Sequence, residues 1–210
     1  VGPADLSLAA VQLAKIHADS GMSVREGETG KAERFQALCD DMLYQMKRYF
    51  DPSITQPIID MIRHPLDKFI HSKSNVFGKR LRKGRVVQGH GALLPEHIHI
   101  QGETVRFLSP HEVYKKYSVL DAAHDAATLM VDLIVANEQE LADHFLQKYK
   151  EASKDKDLES ILPAYQTYCA LKHGVLTCER KVALQDESLG PVALEYFNLA
   201  TRFSRTISKD

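Results

Sequence analysis

Three histidines lie close together in the middle of the sequence, at His90, His97 and His99. Alternation along a strand would place His97 and His99 on one face, and neutral imidazole is a common zinc ligand. No Cys or acidic residue accompanies them at ligand spacing. The sequence therefore allows a metal site at His97 and His99, but a structural role for these rings is favoured.

Two carboxylates, Asp121 and Asp125, are spaced so that they could act together in proton transfer. They stand immediately before and within an apolar stripe of helical spacing. Asp is preferred at helix starts because its carboxylate accepts hydrogen bonds from the free backbone N–H groups there. We therefore expect Asp121 to be an N-cap and Asp125 to lie in the first turns.

Five cations and no acid occupy residues 79–85. Cations near the carbonyl end of a helix are stabilised by the helix dipole, so a solvated helix end is the favoured interpretation. A docking patch for an anionic partner is the alternative. The five residues are Lys79, Arg80, Arg82, Lys83 and Arg85.

Composition narrows the function classes. The 210 residues are 44% hydrophobic and 26% charged, which is typical of a globular protein that buries a sizeable core. A net charge of −1 gives no general excess of cations to hold a polyanion, so we expect no nucleic-acid partner. No apolar run approaches the length of a membrane span, and no signal peptide begins the sequence, so we expect no membrane association.

The cysteines indicate a reducing compartment. Cys39, Cys169 and Cys178 are odd in number and form no CxxC pair, which argues against a secreted disulfide framework. We expect a cytoplasmic protein, with Cys169 and Cys178 as small core residues.

Apolar spacing predicts the elements that must position these groups. Apolar residues that repeat about every 3.6 positions predict seven helices. The first three lie over 5–18, from 31 to about 50, and over 58–70 with an interruption before Pro65. Four more follow the β-region, and the last of them lies over 189–205. Short β-branched segments at 85–88, 98–100 and 104–108, with a turn at Gly102, predict a small β-hairpin region. The predicted fold class is mainly α, α+β overall, in a single domain over 1–210.

Residues 89–98, which read Gly-His-Gly-Ala-Leu-Leu-Pro-Glu-His-Ile, resemble the catalytic loop of the aminoglycoside phosphotransferase and choline kinase family. That family belongs to the protein-kinase-like fold and carries His-Gly-Asp-Leu at this point. Ile16-His17-Ala18 and the segments 120–133 and 165–172 extend the resemblance over 6–180. It implies the helical C-terminal lobe of a kinase-like fold, with a β-hairpin beside the catalytic loop and a structural role for His90 in that loop.

The chain departs from the family at the positions that carry the chemistry. Ala92 stands where the family has its catalytic Asp, and a methyl group cannot accept the proton of a substrate hydroxyl. Ser109 stands where the family has a metal-binding Asp, and His97 replaces a metal-binding Asn of many relatives. The resemblance thus implies a degenerate loop and a degenerate metal strand, comprising His90, Gly91, Ala92, Leu93 and His97 in the loop and Ser109 and Glu112 in the strand.

The family also has an N-terminal β-lobe, with a strand-borne Lys and a loop that covers the phosphates. The residues before His90 read as helices, Lys15 lies in one of them, and Gly21, Gly27 and Gly30 do not form a phosphate loop. We therefore expect this nucleotide-binding β-lobe to be absent from the chain.

These observations predict a non-catalytic, pseudokinase-like domain that acts through a protein partner or by self-association, with no cofactor. The alternative is a fragment or divergent member of a small-molecule kinase, with ATP and Mg²⁺ as cofactors and with Glu96 or Glu112 as the substitute carboxylate.

Overall fold

A computed structural model of the chain describes residues 2–21, 31–49, 55–108 and 119–207. The chain divides into two compact units. The first comprises Val1–Lys31 and Asn75–Leu162, and the second comprises Ala32–Ser74 and Pro163–Asp210. The single domain over 1–210 stays a prediction.

Helices dominate the described residues, so the predicted mainly α class is confirmed. Short 3-10 turns occur at Lys47–Tyr49, Pro95–His97 and Leu158–Ser160. The four strands are β1 Val86–Gln88, β2 Ile98–Gln101, β3 Thr104–Phe107 and β4 Val119–Asp121. The helices are α1 Pro3–Asp19, α2 Ala32–Met46, α3 Gln56–Ser72, α4 Ser74–Arg82, α5 Ala123–Val135, α6 Gln139–Ser153, α7 Leu162–Leu184 and α8 Leu189–Ile207.

Helix α5 forms the centre of the first unit, and ten of its thirteen residues are buried. Helix α6 packs against both α1 and α5. Because α5 is buried on nearly all sides, its polar residues His124, Asp125 and Thr128 also lie in the core. Buried polar groups require hydrogen-bonding partners, which makes this helix the place to look for a built site.

The strands form two separate antiparallel pairs. Strands β2 and β3 make the predicted hairpin, with Ile98 opposite Phe107 and the turn at Gly102, whose φ of 59° favours glycine. Strand β1 pairs instead with β4, so that Val86 lies opposite Asp121. Strand β4 was not among the predicted strands, because three extended residues are too few to show an alternating pattern.

The second unit contains α2, α3, α7 and α8, with α3 packed against both α2 and α8. The expected interruption before Pro65 does not occur, and α3 runs unbroken through this proline. Pro65 cannot donate to the carbonyl of Met61, four residues earlier. The buried hydroxyl of Ser204 in α8 lies 3.2 Å from that carbonyl and 2.9 Å from the carbonyl of Thr201, so its single hydrogen is shared and replaces the lost hydrogen bond in part.

Helices α7 and α8 come very close at Gly174. A Cβ atom added there would lie 2.4 Å from the ring of Phe197, which is itself only 1% exposed. Only a glycine fits this position without a shift of the ring.

Candidate functional site

The segment with the kinase-like pattern leaves β1 and crosses to the 3-10 turn that precedes β2. Leu93 is fully buried and anchors the segment in the core. Gly91 has a φ of 80°, a left-handed conformation that side chains disfavour. Residues 90–93 therefore form a defined loop, which is called the 90–93 loop below.

Asp125 holds the 90–93 loop through its backbone. One carboxylate oxygen, Oδ2, accepts a hydrogen bond from the backbone N–H of His90 at 2.6 Å. The other, Oδ1, accepts from the N–H of Gly91 at 2.8 Å. Asp125 is 2% exposed, so these charge-assisted bonds form in a medium that strengthens them.

The same carboxylate continues into a buried chain of side chains. His17 Nε2 lies 3.1 Å from Asp125 Oδ2, and His17 Nδ1 lies 2.7 Å from the hydroxyl of Tyr149. A carboxylate only accepts, so His17 donates from Nε2, and in the neutral ring Nδ1 accepts from Tyr149. Burial raises the pKa of Tyr149, which keeps the hydroxyl protonated and able to donate.

These contacts fix the charge of Asp125. Burial alone raises the pKa of this carboxyl group, but hydrogen bonds from His124 and His17 outweigh the burial and lower the pKa well below its usual range. The carboxylate is therefore ionised at neutral pH, and both oxygens already accept hydrogen bonds. The two carboxylates have separate partners, since Asp125 accepts from the backbone of the loop and Asp121 accepts from Arg80.

His90 and His97 close the loop from its other side. His97 Nδ1 donates to the carbonyl of Ala92 at 2.8 Å, and His90 Nε2 donates to the carbonyl of Leu108 at 2.7 Å. The two ring centroids are 5.3 Å apart. Burial lowers the pKa of His90, so its ring is neutral at pH 7, and its Nδ1 finds no hydrogen-bonding partner among the described residues.

His97 and His99 do not share a strand face as predicted. His97 ends the 3-10 turn and β2 begins at the next residue, so the alternation argument does not apply to it. Within the described residues, no group of three or more His, Cys, Asp or Glu side chains is arranged to hold a metal ion.

The remaining predicted site residues are half-buried or exposed, or lie outside the described ranges. The half-buried side chain of Ala92 is a methyl group, and Glu96 is exposed on the 3-10 turn. Ser109 and Glu112 of the expected metal strand fall in 109–118, outside the described residues, as do Gly27 and Gly30.

The position of Arg80 differs from the prediction. It is fully buried rather than part of a solvated helix end. Its guanidinium donates to both oxygens of Asp121, at 2.6 and 2.8 Å, and to both oxygens of Asp155, at 3.1 and 2.8 Å. Burial disfavours the charged guanidinium, but the two carboxylates raise the pKa of Arg80, which stays protonated. Asp121 also accepts from the N–H of Ala123, although Ala122 is the N-cap of α5.

The position of Arg80 within the helical repeat indicates burial, whereas a count of charged residues does not. Phe77, Arg80 and Leu81 have the spacing i, i+3 and i+4, which places the arginine on the apolar face of α4. Nothing near Asp155 in sequence indicates that it is the second partner. Cys39, Cys169 and Cys178 are buried and form no disulfide, and burial raises the pKa of Cys39.

Curated proteins similar in sequence include an uncharacterized protein of Mycobacterium tuberculosis and an uncharacterized protein of Mycobacterium bovis. Each is 28% identical to this chain over 155 residues, which is 74% of the chain and 30% of the relative. The chain thus spans about 30% of the length of the curated relatives it matches. No family model matches the chain. No solved structure matches it either. No helix in the described ranges is long and apolar enough to cross a membrane.

Proposed function

We propose that the chain is a non-catalytic, pseudokinase-like domain of the phosphotransferase type that acts through protein interaction or self-association. One observation carries the proposal. Asp125 and His97 hold the 90–93 loop in a defined conformation, while the residue at the catalytic position is Ala92.

Phosphoryl transfer to a hydroxyl group needs a base that accepts or orients the hydroxyl proton. Ala92 has no such group. Asp125 cannot replace it, because both of its oxygens accept hydrogen bonds from the loop and a pKa well below its usual range makes it a weak base. These contacts support a loop that serves structure rather than proton transfer.

The proposed interaction surface lies at the end of α7 and the beginning of α8. Four of the eight large apolar side chains that are exposed in the described residues lie between positions 176 and 192. Exposed apolar side chains are typical of interaction sites, and these four are neighbours in sequence, with Val182 and Leu184 on different sides of α7. The four are Leu176, Val182, Leu184 and Val192.

A second candidate function is a part of a longer small-molecule kinase. The observation that favours it is the length of the curated relatives, of which the chain spans about 30%. In that case ATP and Mg²⁺ would be the cofactors, and the residues that bind them would include residues outside this sequence.

Thermal melting with ATP and MgCl₂ tests the first proposal. A ligand at one hundred times its dissociation constant stabilises the folded state by about 2.7 kcal/mol, which is readily measured as a rise in melting temperature. We expect the same melting temperature with ATP and MgCl₂ as with ATP and EDTA. A Mg²⁺-dependent rise would contradict the non-catalytic proposal and favour the second candidate.

Sedimentation velocity tests the interaction surface. We expect the chain to associate with itself as its concentration rises, and the double variant Val182→Asp/Leu184→Asp to remain monomeric. Val11→Asp is the matched control, because Val11 is an exposed valine on α1. A chain that is monomeric at all concentrations would argue against self-association, and equal loss of association in the control would argue against this surface.

A further inference from the structure

A pocket of about 560 Å³ lies in the first unit and includes none of the residues of the 90–93 loop. Its volume falls within the range of small-molecule sites. The end of α1, the turn after α4, the start of α5 and the end of α6 form its walls. The residues used below are Lys83, Gly84, Arg85 and Ser153.

The region around the pocket carries an excess of positive charge in a chain of net charge −1. Residues 79–85 contain five cations and no acid, and residues 154–157 contain two cations and two acids. Asp121, which binds Arg80, adds one further negative charge. Asp19 at the end of α1 and Asp125, which binds His17 of the pocket wall, add two more negative charges, so the local excess is two positive charges.

Helix dipoles reduce this excess without cancelling it. Three helices end beside the pocket, namely α1 at Asp19, α4 at Arg82 and α6 at Ser153. Each carbonyl end carries about half a negative charge and the start of α5 at Ala122 carries about half a positive charge, so an excess of roughly one positive charge is left.

The two cations of the lining are positioned differently. Arg85 is held by the protein, since Nη1 donates to the carbonyl of Ser153 at 3.2 Å and Nη2 donates to that of Lys154 at 3.4 Å. Its Nε lies 3.8 Å from Asp155 Oδ1. A guanidinium has five N–H donors, so these contacts orient the group and leave donors for a ligand.

Lys83 is the more exposed of the two cations that line the pocket. Its ammonium donates to Asp157, and its side chain is 48% exposed. An ammonium group has three donors, so it binds Asp157 and a second anion together. Hydrogen bonds from Lys83 and Lys79 lower the pKa of Asp157 to about 2, so this carboxylate is ionised and pairs with both lysines.

We propose that this pocket binds a small molecule through a phosphate group, with Lys83 and Arg85 as the cationic ligands. Arg85 contributes a fixed planar donor group and Lys83 a point charge, a pairing suited to phosphate oxygens. The backbone at Gly84 lies between them with a φ of 67°, and a Cβ atom there would meet no atom within 4 Å. The site uses no atom of the 90–93 loop, and it adjoins that loop only through His17, a residue of the pocket wall that donates to Asp125.

Isothermal titration calorimetry with inorganic phosphate and with pyrophosphate tests the site. We expect saturable binding of one pyrophosphate per chain, tighter than that of phosphate. Lys83→Gln should weaken pyrophosphate binding by at least about tenfold, because it removes a charge-assisted contact. Arg85→Gln should weaken it as well, and circular dichroism checks that this variant is folded, since Arg85 also binds two carbonyls.

Lys68→Gln is the matched control, because Lys68 is an exposed lysine on α3 in the second unit. Its affinity for pyrophosphate should equal that of the unaltered chain. The proposal is overturned if no saturable binding occurs, if Lys83→Gln binds normally, or if Lys68→Gln loses as much affinity. A short DNA duplex that binds more tightly than pyrophosphate and competes with it would overturn the small-molecule assignment in favour of a nucleic-acid surface.

Discussion

Replacing Arg80 by methionine removes the only cation that binds both Asp121 and Asp155 among the described contacts. Methionine is close to arginine in length and retains the apolar contacts of the stem. Both carboxylates stay buried, with Asp121 3% and Asp155 6% exposed. The substitution therefore leaves Asp121 buried without the cation that binds it, and leaves Asp155 with Arg85 alone, whose Nε lies 3.8 Å away.

The expected loss follows from the four hydrogen bonds and the burial. Breaking a buried ion pair from one side costs about 3–5 kcal/mol, because the partner keeps its desolvation penalty. The free energy of unfolding of a small domain is about 5–15 kcal/mol, so this loss would be a large part of the stability. Urea unfolding followed by circular dichroism at 25 °C measures it. In an Asp155→Asn background the same substitution should cost less, since one of the stranded charges has already been removed.

Arg82→Met is the matched control, because it makes the same substitution two residues later on the exposed face of α4. Its free energy of unfolding should lie within about 0.5 kcal/mol of the unaltered chain. If Arg80→Met were as stable as Arg82→Met, the buried network would carry no net stabilisation and the reasoning would be refuted.

Three further predictions use the same unfolding assay. Gly174→Ala should lower the free energy of unfolding by about 1–3 kcal/mol, because the methyl group overlaps a core phenyl ring of α8. Gly78→Ala is the control, because a Cβ atom has room there, and its free energy of unfolding should be unchanged or higher. Equal effects of the two substitutions would contradict the close approach of α7 and α8. Ser204→Ala should lose about 1–3 kcal/mol by stranding a carbonyl, and less in a Pro65→Ala background that restores the helical N–H; equal losses in both backgrounds would argue against this explanation. The pKa of Asp125 is lower in the folded chain than in the unfolded chain. As the pH falls, the carboxylate is therefore protonated first in the unfolded chain, and the free energy of unfolding should decrease below a pH of about 5. Asp125→Asn should remove that part of the pH dependence, and an unchanged profile would show that other groups cause it.

Local pattern predicted the helices well, because apolar spacing within one helix reports which face is buried. Helix α1 was expected over 5–18 and runs from Pro3 to Asp19, and the last helix was expected over 189–205 and runs from Leu189 to Ile207. The continuity of α3 through Pro65 could not be predicted, since the group that compensates for the proline lies in another helix.

The contacts of the candidate site were harder to predict because they join residues far apart in sequence. His17 and Asp125 are 108 positions apart, and Arg80 and Asp155 are 75 positions apart. The types of these residues gave no indication of the pairing. Arg80 was grouped with its charged neighbours because a count of charges ignores helix phase, which alone placed it on the buried face.

If the chain is a pseudokinase-like domain as proposed, the contacts of the 90–93 loop explain how it keeps that loop without a catalytic base. Asp125 binds the N–H groups of residues 90 and 91, and His97 binds the carbonyl of residue 92. All three contacts use the backbone, and none uses the side chain of Ala92. Because the loop conformation does not depend on that side chain, a carboxylate there decides the chemistry without deciding the fold. On the proposed function, a chain with this loop can carry a methyl group in place of a base and keep the loop structure, which is the physical condition that a non-catalytic role requires.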